Sequence, residues 1–326
     1  MRLSALAISA ALAVTSASAF AAPVTLKFSH VVAENTPKGE MAQRFEKLVE
    51  ERIGDKVQVE VYPNSQLYND NKVLQAMQLG DVQMAAPALS KFSRYTDKLQ
   101  VFDLPFLFEN IKAVTCFQNG EHGQDLLTHM KDKGIVGLGY QHNGMKQLSA
   151  SDPLRTPDDA ADKKFRIMSS DVLAAQFEAV DAAPVKKPFS EVFTLLQTKA
   201  IDGQENTWSN IYSQKFYEVQ PYITESNHGY LGYMVVTSSD FWGSLEPETR
   251  EVIAESMTEA LEYGNSLANE LNNEQKQKVV DSGESEVIEI DANQRGQWVE
   301  AMKPVWNEFR PEIGGELIDA AEACEG

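Results

Sequence analysis

The sequence predicts an α/β fold that is large enough for two lobes. Strand patterns and helical patterns follow one another along the chain, and strands separated by helices favour mainly parallel sheets with helical cover. The chain has 326 residues, enough for two lobes with separate cores. The sequence contains no repeat and no low-complexity linker, so strands or short crossovers must join the lobes.

The first residues have the pattern of a secretory signal peptide. An apolar run follows Arg2, and Ala19-Phe20-Ala21 fits an A-x-A cleavage site. A membrane helix is disfavoured because the run is short and a strand pattern follows it at once. We therefore expect residues 1–21 to be removed and the mature chain to be exported. Cleavage just after Ala19 is the alternative.

Strand patterns come from period-two alternation and from short, continuous apolar runs. Helical spacing of apolar residues predicts helices over 41–49 and 192–196. The predicted strands centre on 24–28, 57–61, 135–136, 165–167 and 234–236.

One segment predicts an unusually long helix. From Pro247 to Val280 no further proline occurs and apolar residues recur at helical spacing, and Ser282-Gly283 supplies a stop signal. The alternative is a pair of surface helices that break near Gly264.

The charge of the chain excludes some classes of partner. The formal net charge is −19, and removal of Arg2 with the signal peptide leaves about −20. Such a balance repels phosphate at long range, so we expect neither nucleic acid nor acidic membrane surfaces as partners. A small acid can still bind where a few Lys or Arg side chains converge, because salt screens charges beyond about 8–10 Å.

The two cysteines, Cys116 and Cys324, are far apart in the sequence. An exported chain can pair them as a disulfide, but the sequence leaves open whether they meet. We expect a catalytic role for neither of them.

Catalytic motifs are largely absent. The five histidines fall in no metal-ligand spacing, and residues 134–146 have glycines in the wrong places for a dinucleotide loop or a P-loop. Asp202 and Glu205 are an acid and base pair in principle, but a turn residue and a hydrogen-bonding neighbour is the simpler interpretation. We therefore expect no catalytic residue, no metal and no cofactor.

Several stretches together resemble one family, the extracytoplasmic solute-binding subunits of tripartite ATP-independent periplasmic (TRAP) transporters. The resemblance runs from about Val24 to beyond Trp242 and is strongest to the branch that binds four-carbon dicarboxylates. The stretches that carry it are LKFSHVVAENTPKG, VEVYPNSQL, FDLPFLF, HNGMKQLS, FRIMSSDV and PFSEVFTLLQTKAIDGQENTWSNIYSQKFYEVQPYITESNHG.

The resemblance implies a fold of two discontinuous lobes joined by hinge strands, with a long helix spanning both and a ligand cleft between them. We expect lobe 1 to comprise residues 22–143 plus 232–271, and lobe 2 residues 144–231 plus 272–326. The implied location is the periplasm, and the implied partners are a small organic acid and the membrane subunits of a TRAP transporter. The sequence leaves the oligomeric state open, with a monomer favoured. The ligand is expected to be malate, succinate or fumarate. The alternatives are a sugar acid, keto acid or aromatic acid, or a lyase or hydrolase on the same lobes.

The resemblance also assigns candidate ligand-binding residues. The signature arginine of the family matches Arg166, and alternation along FRIM puts Phe165 and Ile167 on the opposite face, so Arg166 can point to the cleft. A guanidinium group meets a carboxylate with two parallel hydrogen bonds. The ligand-contacting asparagine of the family matches Asn206, and its aromatic residue matches Phe189, which can form an apolar wall.

Further candidates would serve the second carboxylate of a dicarboxylate, which needs its own counter-charge. Related binders have basic residues at the positions of Lys146 and Lys91, and Lys38 is a third lysine candidate. Asn210 and Trp208 lie beside Asn206 in the sequence and complete the expected site.

Overall fold

The computed structural model describes residues 22–324, so the predicted signal peptide lies outside the described residues. In the described part, nine strands form one mixed sheet. The strands are β1 (Val24–Ser29), β2 (Val57–Tyr62), β3 (Met84–Ala85), β4 (Ile135–Ala150), β5 (Lys164–Ile167), β6 (Ala183–Lys186), β7 (Gly203–Asn206), β8 (Tyr222–Ser238) and β9 (Glu286–Glu289).

Twelve α-helices cover this sheet within residues 22–324. They are α1 (Pro37–Ile53), α2 (Val73–Gln78), α3 (Ile111–Asn119), α4 (Glu121–Leu126), α5 (Asp171–Glu178), α6 (Val192–Gln197), α7 (Trp208–Ser213), α8 (Ser239–Ser244), α9 (Pro247–Ser282), α10 (Ala292–Met302), α11 (Val305–Ile313) and α12 (Gly315–Glu322).

Two long antiparallel strands, β4 and β8, form the middle of the sheet. The strand order is β2-β1-β3-β8-β4-β7-β5-β6, and β9 also pairs with β8. The strands β1 to β3 attach at one end of the β4-β8 pair, where Met84 lies opposite Thr237. The strands β5 to β7 and β9 attach at the other end, where Ala150 pairs with Gly203. The two halves of the molecule are thus joined by β4 and β8.

The register of the β4-β8 pair shifts between Gly137 and Gly139, between His142 and Gly144, and between Lys146 and Leu148. Such irregularities bend a strand and increase its twist. The shift beside His142 lies next to the predicted lobe boundary. The pair therefore has the character of the expected hinge strands.

The helix α9 is continuous over 36 residues and ends at Gly283, whose φ of 67° is in the left-handed region. The prediction of one long helix is confirmed, and no break occurs at Gly264. The first part of α9 packs against α1, and its later part contacts α7. Asn272 ties this helix to β4 and α7, donating to the carbonyl oxygen of Asn143 and accepting from the backbone N–H of Ser209.

We expect Gly264 to be required by this packing. A Cβ atom at this position would lie 2.6 Å from the Cβ of Met41 on α1 and 2.6 Å from Oε1 of Gln141. The Gly264→Ala variant should therefore lose about 1–3 kcal/mol of the free energy of unfolding, although alanine is the better helix former. The matched control is Gly296→Ala on the exposed side of α10, where nothing lies within 4 Å. Urea unfolding of the control should show no loss, and equal effects in both variants would contradict the packing argument.

Cys116 and Cys324 form a disulfide, which resolves the question that the sequence left open. The bond ties the segment after α12 to α3. Helices α11 and α12 pack into the same core as α3 and residues 98–103. The lobe boundaries stay a prediction, and this packing favours counting α11 and α12 with the first lobe.

Among residues 22–324, no helix combines the length and the apolar character needed to cross a membrane.

Candidate ligand-binding site

A cavity lies where segments from the two halves of the sheet meet. Its wall includes residues that follow the carboxyl ends of β1, β3, β5 and β6, the usual position of ligand sites in α/β sheets. Six of the eight predicted residues border it, namely Lys91, Lys146, Arg166, Phe189, Asn206 and Asn210.

Arg166 projects into the cavity from β5. Phe165 and Ile167 pack in the core on the opposite face of the strand, as the alternation predicts. Nε donates to the carbonyl oxygen of Lys187 at 2.9 Å, and in the described residues neither Nη atom hydrogen bonds to protein. Burial lowers the pKa of Arg166 to about 10. With a pKa of about 10, the guanidinium group stays charged at neutral pH, and both of its Nη nitrogens are available to donate to a ligand.

Lys91 comes from the other half of the chain, just after β3. Its Nζ atom donates to Oδ1 of Asn71 at 2.9 Å, so two of its three protons are available. Burial lowers the pKa of Lys91 to about 8, and Asp70 partly offsets this effect. Lys91 is thus a second cation that can meet an anionic group in the cavity.

Lys146 belongs to a buried ion pair. Its Nζ atom lies 2.8 Å from Oε2 of Glu205, and the two side chains are only 1% and 2% exposed. The same oxygen accepts hydrogen bonds from Gln176 at 2.9 Å and from Nε2 of His228 at 2.8 Å. Burial alone would raise the pKa of Glu205, but Lys146 and the hydrogen bond from His228 together hold it well below its usual range. Most of the charge of Lys146 is therefore compensated within the protein.

The amides and the aromatic residue are arranged along the same wall. Asn210 donates to Oδ1 of Asn206 at 2.7 Å, and Asn206 donates to Gln204 at 3.0 Å. The ring of Phe189 lies 5.9 Å from the guanidinium carbon of Arg166. An aromatic face at this distance attracts the cation and restricts its position.

Lys38 and Trp208 do not border the cavity. Nζ of Lys38 donates to the carbonyl oxygen of Ala86 at 2.9 Å and lies 3.4 Å from the ring centroid of Tyr233, which separates it from the cavity. Trp208 packs in a separate core with Val192 and its neighbours. Direct ligand contact by these two residues stays a prediction, and the structure places them behind the wall.

Other wall residues carried no signal in the sequence. Asp70 lies in a loop before α2 and raises the pKa of Lys91 and of Arg166. Tyr233 on β8 and Met168 after β5 also border the cavity. Only the long-range contacts of the fold bring these side chains together, although alternation along FRIM does place Met168 on the side of Arg166.

The charges of the wall favour an anion. Its three cations, Lys91, Lys146 and Arg166, face two carboxylates, Asp70 and Glu205, which leaves one net positive charge. Outside the wall, Lys38 adds a positive charge beside Tyr233, and the buried carboxyl of Asp103 interacts with Lys91 and Lys146. In the described residues no group of three or more potential ligands is arranged to hold a metal ion. The fold and this cavity define the class of protein, a two-lobed solute-binding protein for a small organic anion.

Comparison with known proteins identifies the family. The model of the family described as bacterial extracellular solute-binding protein, family 7, matches residues 28–312. The C4-dicarboxylate-binding periplasmic protein DctP of Shewanella loihica is 64% identical over 96% of this chain and 94% of its own length. The protein of the same name from Vibrio cholerae is 48% identical over 96% of each chain. The chain belongs to this DctP family of solute-binding proteins.

Solved structures agree with the sequence comparison. A TRAP periplasmic solute-binding protein from Shewanella oneidensis, with bound succinate, has a TM-score of 0.93 and 61% identity, covering 94% of this chain and 100% of that one. Another from Pseudomonas aeruginosa, with bound L-malate, has a TM-score of 0.86 and 45% identity, covering 88% and 100%. The predicted two-lobed α/β solute-binding fold is confirmed.

Proposed function

We propose that this protein is the periplasmic receptor of a TRAP transporter, which binds a C4-dicarboxylate in the cavity beside Arg166 and delivers it to membrane subunits for uptake. The observation that carries the proposal is the buried guanidinium of Arg166, which keeps both Nη atoms for a ligand. The relatives with bound succinate and malate support the class of ligand.

The contacts of the cavity support binding as its function. A cavity that excludes water must replace the hydration of each carboxylate with donors from the protein. Arg166 supplies a planar fork for one carboxylate. Lys91, from the other half of the chain, supplies the two N–H donors that its bond to Asn71 does not use. We assign no nucleophile and no reaction to these residues, in keeping with relatives that are receptors.

Melting of the purified protein with succinate, L-malate and fumarate tests the proposal. A ligand at about 100 times its Kd should stabilise the folded state by roughly 2.7 kcal/mol, and product analysis of the same samples should show unchanged acid. Unchanged melting with all three acids would contradict dicarboxylate binding. Consumption of an acid would contradict the receptor function.

We expect Lys91→Met to weaken succinate binding about tenfold or more, because the second carboxylate loses a partly dehydrated counter-charge. Methionine retains much of the packing of the lysine stem. Calorimetry should show a smaller loss for the monocarboxylate butyrate than for succinate. Lys186→Met, which removes an exposed lysine paired with Asp171, is the control and should bind like the parent. If the variant lost the same factor of affinity for butyrate as for succinate, Lys91 would not be the partner of the second carboxylate.

A further inference from the structure

Glu205 places an unpaired acceptor at the cavity. The residue lies on β7, borders the cavity and is only 3% exposed. Its Oε2 atom accepts three hydrogen bonds, but its Oε1 atom is buried and has no donor within the described residues. Asn210, which borders the same cavity, also has a buried oxygen without a partner. The wall that binds carboxylates therefore also presents acceptor atoms that a carboxylate cannot satisfy.

The three bonds to Oε2 fix the orientation of the carboxylate. Lys146 on β4, Gln176 on α5 and His228 on β8 approach this atom from three different elements. His228 is itself held by Ser226, whose hydroxyl lies 2.8 Å from Nδ1. Rotation of the carboxylate would break bonds in this network, so Oε1 has a defined position. A defined position is what a binding group needs in order to discriminate between ligands.

A buried acceptor without a donor costs free energy, about 1–3 kcal/mol and more where the group is charged. Succinate and fumarate offer only acceptor oxygens at neutral pH, so they leave this cost in place and add repulsion. A hydroxyl group on the carbon chain brings one donor of the required kind. Hydrogen bonds from a hydroxyl to a carboxylate are short and strong.

We propose that Oε1 of Glu205 accepts a hydrogen bond from a ligand hydroxyl and makes the site selective for hydroxylated dicarboxylates, the class of malate, over succinate and fumarate. The inference rests on the proposed function, since it concerns the same cavity. In this site, Arg166 and Lys91 bind the two carboxylates, and Glu205 recognises a hydroxyl group on the carbon chain between those carboxylates.

The first test uses the unaltered protein and varies the ligand. Calorimetry should show that L-malate binds about tenfold to a hundredfold more tightly than succinate, the range of a hydrogen bond to a charged group. 2-Fluorosuccinate carries a group of similar position that cannot donate, so it should bind no more tightly than succinate. A malate preference of less than threefold, or 2-fluorosuccinate binding as tightly as malate, would overturn the inference. Binding of none of these acids would instead overturn the proposed function.

The second test removes the charge of the acceptor. In Glu205→Gln, the ratio of malate affinity to succinate affinity should fall at least threefold, because the amide is a weaker acceptor than the carboxylate. The ratio is the readout, since release of Lys146 from its partner strengthens binding of both acids. Lys186→Met should keep the parent ratio. A smaller change in a folded Glu205→Gln protein would overturn the inference, and the ligand series decides it where this variant does not fold.

Discussion

Replacement of Arg166 by alanine is expected to weaken the binding of succinate and malate by about thirty to several thousand fold. Loss of the guanidinium leaves one carboxylate dehydrated and unpaired, which costs about 2–5 kcal/mol by analogy with buried charge pairs, at 1.4 kcal/mol for each factor of ten. Arg166→Lys should also lose substantially, because one ammonium group cannot reproduce the planar fork. Calorimetry of both variants with each acid measures the effect.

The control separates binding from folding. Arg166 is buried, donates from Nε to Lys187 and interacts with the charges of Glu205 and Asp70, so the unliganded variant should also lose about 1–3 kcal/mol of the free energy of unfolding. Arg155→Ala, at an exposed arginine outside the cavity, should bind like the parent. A folded Arg166→Ala protein that binds within about threefold of the parent would place the anchor of the ligand elsewhere.

Lys146→Met should have its largest effect on stability. The variant leaves the carboxylate of Glu205 buried without its cation, and breaking a buried pair in this way typically costs about 3–5 kcal/mol. Removal of both charges, in Lys146→Met/Glu205→Gln, should recover most of this loss. Lys186→Met breaks an exposed pair with Asp171 and should cost less than about 1 kcal/mol in the same urea titrations.

The pH dependence of the Lys146→Met effect follows from the sign of the pKa shifts. In the parent, the pKa of Glu205 is lowered, so the pair stabilises the protein at neutral pH and the contribution is lost only in strong acid. In the variant, burial raises the pKa of Glu205, and its protonation or that of His228 relieves the unpaired charge. The stability difference between parent and variant should therefore shrink as the pH falls from 7 to 5. Burial raises the pKa of Asp103 to about 6 although Lys146 lowers it, so loss of Lys146 should raise this pKa further and act in the same direction. If the stability difference between parent and variant instead grew as the pH fell, the result would contradict a stabilising Lys146–Glu205 ion pair.

The local elements of the fold were predictable because they depend on short-range patterns. Alternation across FRIM predicted the side of β5 on which Arg166 lies, and the stop at Gly283 predicted the end of α9. The full lengths of β4 and β8 were not predictable. These strands carry buried polar residues such as Gln141, Asn143 and His228, which interrupt the apolar pattern used to recognise a strand.

The candidate site was predictable only in part, for a related reason. The resemblance assigned Arg166 and Lys91 to positions that do border the cavity, but it could not show that Lys146 is paired with Glu205. That pair joins residues 59 positions apart, on neighbouring strands. Lys38 was expected in the site because of its charge, yet the aromatic ring of Tyr233 lies between it and the cavity. Such relations depend on the packing of the whole fold.

The disulfide described above has a consequence for the biogenesis of the protein. Its two cysteines are separated by 208 residues, and Cys324 follows α12, the final helix of the described chain. Under the proposed export from the amino end, Cys116 would emerge long before Cys324, because 208 residues separate the two cysteines. Oxidation can then act only after residue 324 has emerged, and it joins two segments whose Cα atoms lie 5.7 Å apart in the folded structure. Until Cys324 has emerged, α3 carries a free thiol and any packing of α3 takes place without help from the bond.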